Sequence, residues 1–265
     1  MTDQPYQTLV LEYPAAHVLQ ITLNRPEVAN AFNTQMATDL MNCFESLALE
    51  PGDNRCVILT GAGDRAFCAG GDLKQRDGMS NEAWAEQHLV FERMVRAIID
   101  CPLPLIAAVN GAAFGGGCEL AAAADFAYAS ENARFAMTET SLGIIPGAGG
   151  TQTLARALGE RRAKELILAA RHFSAEEARR WGLVNEVFTP ASLLDGTLEI
   201  ASRIAANAPI AVLQAKRAIH AGLQMPLAEG LGCEIEAYNR TVPTDDRREG
   251  IRAFNEKRAP QFKGK

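Results

Sequence analysis

One stretch limits the folds open to this chain more than any other: Leu105-Ile106-Ala107-Ala108-Val109, then Asn110-Gly111-Ala112-Ala113-Phe114, then Gly115-Gly116-Gly117-Cys118-Glu119-Leu120. The leading apolar run suits a buried strand, and residues 118–124 suit a short buried helix. The three consecutive glycines between them strip the turn of Cβ atoms just where a helix begins. Helix starts carry N–H groups without intrahelical acceptors, and glycine lets a ligand approach them. Such a turn favours developing negative charge. Glu119, one helical turn beyond Gly116, can aim a carboxylate at whatever those groups hold. The plainer alternative is that the glycines only allow helix and strand to pack closely.

Composition bounds the partners. A chain of 265 residues, 48% hydrophobic and 22% charged, can bury a sizeable core as one large domain or a domain with an appendage. A net charge of −6 counts against nucleic acid as the main partner, since phosphate binding needs a basic face. The six cysteines, at 43, 56, 68, 101, 118 and 233, form no Cys-x-x-Cys pair, and most sit in apolar runs as reduced core thiols do, which implies a reducing compartment. Met1-Thr2-Asp3-Gln4-Pro5 has neither a basic nor an apolar leader region, and no apolar run reaches membrane-spanning length. The expectation is a cytoplasmic protein without a membrane partner.

Taken in order, residues 8–13 and 17–23 are β-rich runs that read as a hairpin ending at Asn24-Arg25-Pro26. Asn33 or Thr34 can cap a helix to about residue 50, in which Met36, Leu40, Met41, Phe44 and Leu47 form an apolar stripe. Residues 56–60 are a buried strand, residues 61–73 a glycine-rich loop, and residues 81–100 a helix. Beyond the central helix, residues 126–130 and 134–137 read as strands, and a second glycine-rich turn, residues 138–151, feeds another helix. Ser174 and Glu177 have capping-box spacing, Gly182 stops that helix, residues 183–188 are a strand, and only helices follow residue 190. Strands interleaved with helices, then a helical tail, make the class α/β.

Several chemistries drop out. Gly61-x-Gly63-x-x-Ala66 after a strand has dinucleotide-turn spacing, yet loop residues continue where a helix must open, and no strand ending in an acidic residue follows about twenty residues on. There is no Gly-x-Ser-x-Gly and no His-Glu-x-x-His, and the histidines at 17, 88, 172 and 220 neighbour neither glycine turn in sequence. No metal and no histidine base is therefore assigned. Cys68 has no adjacent base to lower its pKa and reads as a packing thiol.

Two glycine turns and two glutamates remain, and the surrounding segments are specific. They are Leu23-Asn24-Arg25-Pro26-Glu27 with Asn30-Ala31; Ala66-Phe67-Cys68-Ala69-Gly70-Gly71-Asp72-Leu73-Lys74; Asn110-Gly111 with Gly115-Gly116-Gly117-Cys118-Glu119-Leu120; Glu139 with Leu142-Gly143-Ile144-Ile145-Pro146-Gly147-Ala148-Gly149-Gly150-Thr151-Gln152; and Asp246-Arg247-Arg248-Glu249-Gly250 with Ala253-Phe254 and Glu256-Lys257-Arg258. On these, over essentially its whole length, the chain resembles the crotonase superfamily, the enoyl-CoA hydratases and isomerases.

The resemblance implies an α/β spiral of ββα turns over residues 1–190 and a C-terminal helical region over residues 191–265 that builds homotrimers or dimers of trimers. It implies an acyl-CoA thioester as substrate, with coenzyme A entering as part of that substrate and no further cofactor. By resemblance, the N–H groups of Gly71 and Gly116 form an oxyanion hole for the thioester carbonyl. Glu119 would activate water and Glu139 would protonate C2. Arg25, Ala69, Asp72, Leu73 and Lys74 would lie along coenzyme A, joined by Phe254 and Lys257 from the C-terminal helices of the same or a neighbouring subunit. Isomerase members generally keep only the glutamate equivalent to Glu139, so two glutamates favour hydration. Segments such as Gly71-Asp72-Leu73-Lys74-Gln75-Arg76 and Ala163-Lys164-Glu165-Leu166-Ile167 look more like 3-methylglutaconyl-CoA hydratases than short-chain ones. Some relatives on that branch bind RNA through a lysine-rich helix. The corresponding residues 34–50 contain no lysine or arginine here, so no nucleic-acid partner is expected.

Overall fold

The computed structural model describes residues 6–265. The chain begins with strands β1 (Leu9–Ala15) and β2 (Val18–Leu23), an antiparallel pair, and continues through helix α1 (Thr34–Leu49) to β3 (Cys56–Gly61). A repeating path then takes over. Strand β3 is followed by short β4 (Ala66–Cys68) and helices α2 (Leu73–Arg76) and α3 (Asn81–Ile99). Next, β5 (Leu105–Val109) leads to short β6 (Ala112–Phe114) and α4 (Gly116–Ala123), and β7 (Phe126–Ser130) leads to short β8 (Arg134–Ala136), α5 (Gly150–Leu158) and α6 (Glu160–Leu168). Then come β9 (Phe173–Ser174), α7 (Ala175–Trp181) and β10 (Glu186–Phe188), followed by α8 (Leu193–Ala206), α9 (Pro209–Gly222), α10 (Leu227–Thr241) and α11 (Asp245–Glu256).

The long strands form a six-stranded sheet in the order β1-β2-β3-β5-β7-β10, parallel from β2 onward, and the short ones a second sheet, β4-β6-β8-β9. Each turn of the chain steps one strand further in both sheets, which is the spiral of ββα turns. The central strands β3 and β5 are buried on both faces and read as nearly unbroken apolar runs. Val57, Leu59, Ala107 and Val109 face the main core with Met36, Leu40, Phe44, Met94 and Ile98 of α1 and α3. Cys56, Ile58, Ile106 and Ala108 face the opposite side, where Leu193, Ala201 and Ala205 of α8 cover them.

Small side chains let the chain cross from one sheet to the other. A Cβ on Gly61 would sit 2.4 Å from the Phe67 carbonyl, and one on Gly111 would sit 2.5 Å from that of Arg65, so backbone passes directly over backbone at both corners. Two asparagines tie these crossings. Asn110 Nδ2 donates to Gly61 O (2.8 Å) and Gly63 O (2.7 Å), and Asn30 Nδ2 donates to Ala62 O (3.0 Å) and Ala66 O (2.9 Å).

Several sequence expectations change in detail. The strand does not run straight into the glycines: the turn at Asn110 and Gly111 is followed by β6, and the helix starts at Gly116 because Gly115 adopts φ 51°. Residues 61–73 are not a plain loop, since they hold β4. No helix opens after Gly63, which removes the dinucleotide-turn reading. The strand at 183–188 shortens to Glu186–Phe188 because the Leu183 and Val184 N–H groups donate to Ala178 O at the end of α7. Asn33 caps α1, and the Ser174/Glu177 capping box forms as the spacing predicts. Among the described residues, no helix is long and apolar enough to cross a membrane.

Replacing Asn110 by alanine should strand the Gly61 and Gly63 carbonyls at the sheet crossing and cost about 1–3 kcal/mol of stability. Chemical denaturation reads this as a lower unfolding midpoint; an unchanged midpoint would show that the corner does not need its clamp.

Candidate active site

Two backbone segments meet at the heart of the spiral. Phe32 N–H donates to Gly70 O at 2.8 Å and Phe32 O accepts from Asp72 N–H at 2.9 Å, so Phe32 and Gly71 pair as in a parallel sheet. That pattern turns the N–H of Gly71 itself to the opposite side. Gly70, at φ 91°, presses this segment onto the central turn: a Cβ there would lie 2.7 Å from Phe114 O and 3.1 Å from Gly116 N. The Gly116 N–H begins α4 and has no intrahelical acceptor. Neither the Gly71 nor the Gly116 N–H has a backbone acceptor among the described residues, and both glycines line a cavity of about 700 Å³.

The glycines serve packing and access together. A Cβ on Gly117 would fall 1.9 Å from the Cys68 carbonyl, one on Gly116 would fall 2.4 Å from the Phe32 ring, and one on Gly115 would fall 2.8 Å from Glu139 Oε1. Close packing explains Gly117. The other two also keep the cavity floor open beside both carboxylates.

Glu119 on α4 is buried, and its Oε1 accepts from Ala148 N–H at 2.8 Å and Gly150 N–H at 2.7 Å. The first turn of α5 thus points at this carboxylate, and Gly149, at φ 93°, sets that approach. Burial nevertheless outweighs the two donors: desolvation raises the Glu119 pKa to about 7, the charge of Glu139 adding to the rise while the N–H donors oppose it. Glu139 sits in the single turn Glu139–Leu142, is 8% exposed, and has an Oε2 atom with no hydrogen-bond partner among the described residues. Burial raises its pKa as well. Two carboxylates that are costly to ionise together therefore share one cavity with two free N–H donors.

The rest of the wall comes from α2 and α3. Arg76, Trp84, His88 and Phe91 line the cavity, with Phe91 edge-on to Phe32 at 4.9 Å between ring centroids. The spacing 84, 88, 91 along α3 is the sequence signal that could have found the three side chains of that helix. His88, distant in sequence from both glycine turns, folds against one of them, its ring 2.5 Å from where a Gly147 Cβ would be. His172 likewise packs edge-on to Phe114. The Cys68 thiol, fully buried with no cation beside it, is pushed up to about 12 by desolvation, so it stays a packing thiol.

The remaining expected residues divide. Ala69 and Leu73 line the cavity. Arg25 and Asp72 bind each other, with both Arg25 terminal nitrogens donating to Asp72 Oδ2 at 3.0 Å and Nη1 donating to Ala31 O as well. Asp72 Oδ1 also caps α2 at Lys74 N–H. This pair fixes the Gly70–Gly71 segment against the loop after β2 and lies outside the cavity lining. Lys74, Phe254 and Lys257 are exposed and lie outside it too, Phe254 at 84%.

Comparison with known proteins agrees with this geometry. The enoyl-CoA hydratase/isomerase family profile matches residues 14–265. An enoyl-CoA hydratase crystal structure from Bacillus anthracis superposes with a TM-score of 0.96 at 46% identity, covering 98% of this chain and 100% of that one. The short-chain-enoyl-CoA hydratase of Clostridium acetobutylicum is 40% identical over 91% of this chain and 92% of its own length. The 2,3-dehydroadipyl-CoA hydratase of Escherichia coli is 40% identical over 94% of this chain and 96% of its own. The spiral fold, the family profile over residues 14–265 and relatives that each cover at least 91% of it make this chain a member of the enoyl-CoA hydratase/isomerase family, within the crotonase superfamily.

Proposed function

We propose that the protein adds water across the 2,3 double bond of a short or branched 2-enoyl-CoA thioester, with 3-methylglutaconyl-CoA the favoured branch. The observation that carries this is the pairing of two buried carboxylates with two acceptor-free N–H groups around one cavity. Water attacks C3 only if electron density can move to the thioester oxygen. Gly71 and Gly116 N–H hold that oxygen as it gains charge, each such donor being worth on the order of 10²–10³ in rate. Glu119, fixed at Oε1 by Ala148 and Gly150, presents Oε2 toward Gly116 and takes the proton from water. Glu139, protonated, gives its proton to C2. The oxygen ends on C3, the hydrogen on C2, and the cycle closes when the proton on Glu119 returns to Glu139.

The pantetheine leaves the cavity past Ala69 and Leu73, with Lys74 beside it and Arg25 and Asp72 holding the strip in place. Phe254 and Lys257 would join from the C-terminal helices of a neighbouring subunit. The exposed apolar side chains Ile219, Leu223, Leu227, Ile235 and Phe254 support a C-terminal helical region, residues 191–265, that builds a trimer or a dimer of trimers.

Glu119→Gln and Glu139→Gln should each lower kcat for crotonyl-CoA by about 10²–10⁴ while thioester binding stays within a few-fold, because each removes a proton transfer and leaves the N–H donors in place. Near wild-type turnover in either variant would remove that glutamate from the mechanism.

The raised pKa values set a pH profile. Below a pH near 7 Glu119 takes up a proton and cannot act as base, so kcat/KM should climb with pH through a midpoint near 7. Glu139 must keep its proton to act as acid, and burial favours that form. Initial rates in overlapping buffers read the rise; a profile flat from pH 5.5 to 8 contradicts the assignment.

A further inference from the structure

Arg76 is a cation set into the cavity wall without an anion to answer it. Its Nε donates to Gln87 Oε1 at 2.8 Å, its guanidinium lies 4.1 Å from the Trp84 ring centroid and 4.9 Å from that of Phe91, and no carboxylate pairs with it among the described residues. Its position is fixed from behind. Buried Gln87 donates through Nε2 to Thr34 Oγ1 and to Gln75 Oε1, both at 2.9 Å, which orients the amide oxygen that holds Nε. The terminal nitrogens Nη1 and Nη2 have no acceptor among the described residues. They lie beside the reacting end of the cavity: Arg76 Cζ and Nη1 are each 3.9 Å from where a Gly71 Cβ would stand. Elsewhere on the wall His88 Nε2 lies 3.7 Å from Glu92 Oε1 and Glu119 Oε1 is held by the start of α5, while Glu139 keeps Oε2 without a partner among the described residues. Burial lowers the Arg76 pKa from its ordinary value.

Keeping such a group half-buried and unpaired destabilises the empty protein, and a ligand carboxylate is the partner that planar, two-pronged donors fit best. We propose that Arg76 is a specificity-determining residue that receives a second carboxylate on the acyl chain, so that the substrate class is 2-enoyl-CoA thioesters of short dicarboxylic acids. This rests on the hydratase reading for the reaction but not for the binding. The proximity of Arg76 to Gly71 places that carboxylate a short reach from the double bond. The phosphates of coenzyme A are the other anions on offer, but they lie at the far end of the pantetheine, whereas Gln87, Trp84 and Phe91 hold Arg76 inward.

The test compares glutaconyl-CoA with 2-pentenoyl-CoA, which has a chain of the same length without the charge, in wild type and in Arg76→Gln. The ratio of kcat/KM for the two should favour glutaconyl-CoA by tenfold or more in wild type and fall about a hundredfold in the variant. A purely structural role for Arg76 would lower both rates together and leave the ratio unmoved, which would overturn the proposal. Calorimetric binding of the unreactive glutaryl-CoA, butyryl-CoA and free coenzyme A to wild type needs no turnover and no variant. Tighter binding of glutaryl-CoA than of butyryl-CoA supports the carboxylate site even if neither enoyl thioester is hydrated, an outcome that would overturn only the hydratase reading. Equal affinity, or an Arg76→Gln defect that free coenzyme A shares in full, assigns the cation elsewhere and refutes the proposal.

Discussion

The contact of Gly70 with the Phe114–Gly116 backbone is the constraint on which the site depends. Side chains are excluded there by geometry: a Cβ on Gly70 would meet Phe114 O at 2.7 Å, and one on Gly117 would meet Cys68 O at 1.9 Å. Because the two segments touch through backbone alone, the N–H of Gly71 and the first N–H of α4 open onto the same cavity. The spiral is what brings them there. Strands β4 and β6 are neighbours in the second sheet, so the residues that follow each strand emerge side by side, one turn of the spiral apart.

The same packing sets the electrostatics. Glu119 and Glu139 come from different turns of the spiral, yet both border the glycines at 115 and 116. Burial makes each carboxylate harder to ionise, and the start of α5 relieves only Glu119, through Ala148 and Gly150. Glu139 Oε2 has no such donor. The two groups are therefore unequal by construction, because the elements around two similar residues differ.

The central glycine turn, the α1 stripe, the Ser174 capping box and the helices beyond residue 190 were legible because each rests on local chemistry: missing Cβ atoms, a helical period, a paired cap. The short strands β4 and β6 were not. Their three residues each carry no period of their own and exist because the spiral pairs them with neighbours far along the chain. Both glutamates could be named from flanking motifs, but their inequality could not, because the donors to Glu119 lie about thirty residues on. Arg76 and Gln87 were invisible as a unit for the same reason. Arg76 stands in a quoted segment and Gln87 in none, and only the packing of α2 on α3 joins them. The Arg25–Asp72 pair adds what the motif does not show: the two side chains bind each other and hold a loop to a loop.

The central claim is that two backbone N–H groups and two carboxylates on one side of the substrate hydrate an enoyl thioester. It is tested most directly by incubating the purified protein with crotonyl-CoA in deuterated water and determining the product by nuclear magnetic resonance. Loss of the conjugated double bond, with a hydroxyl at C3 and deuterium at C2 added to the same face, is the predicted result. Addition to opposite faces, or an intact double bond in folded protein, would contradict it.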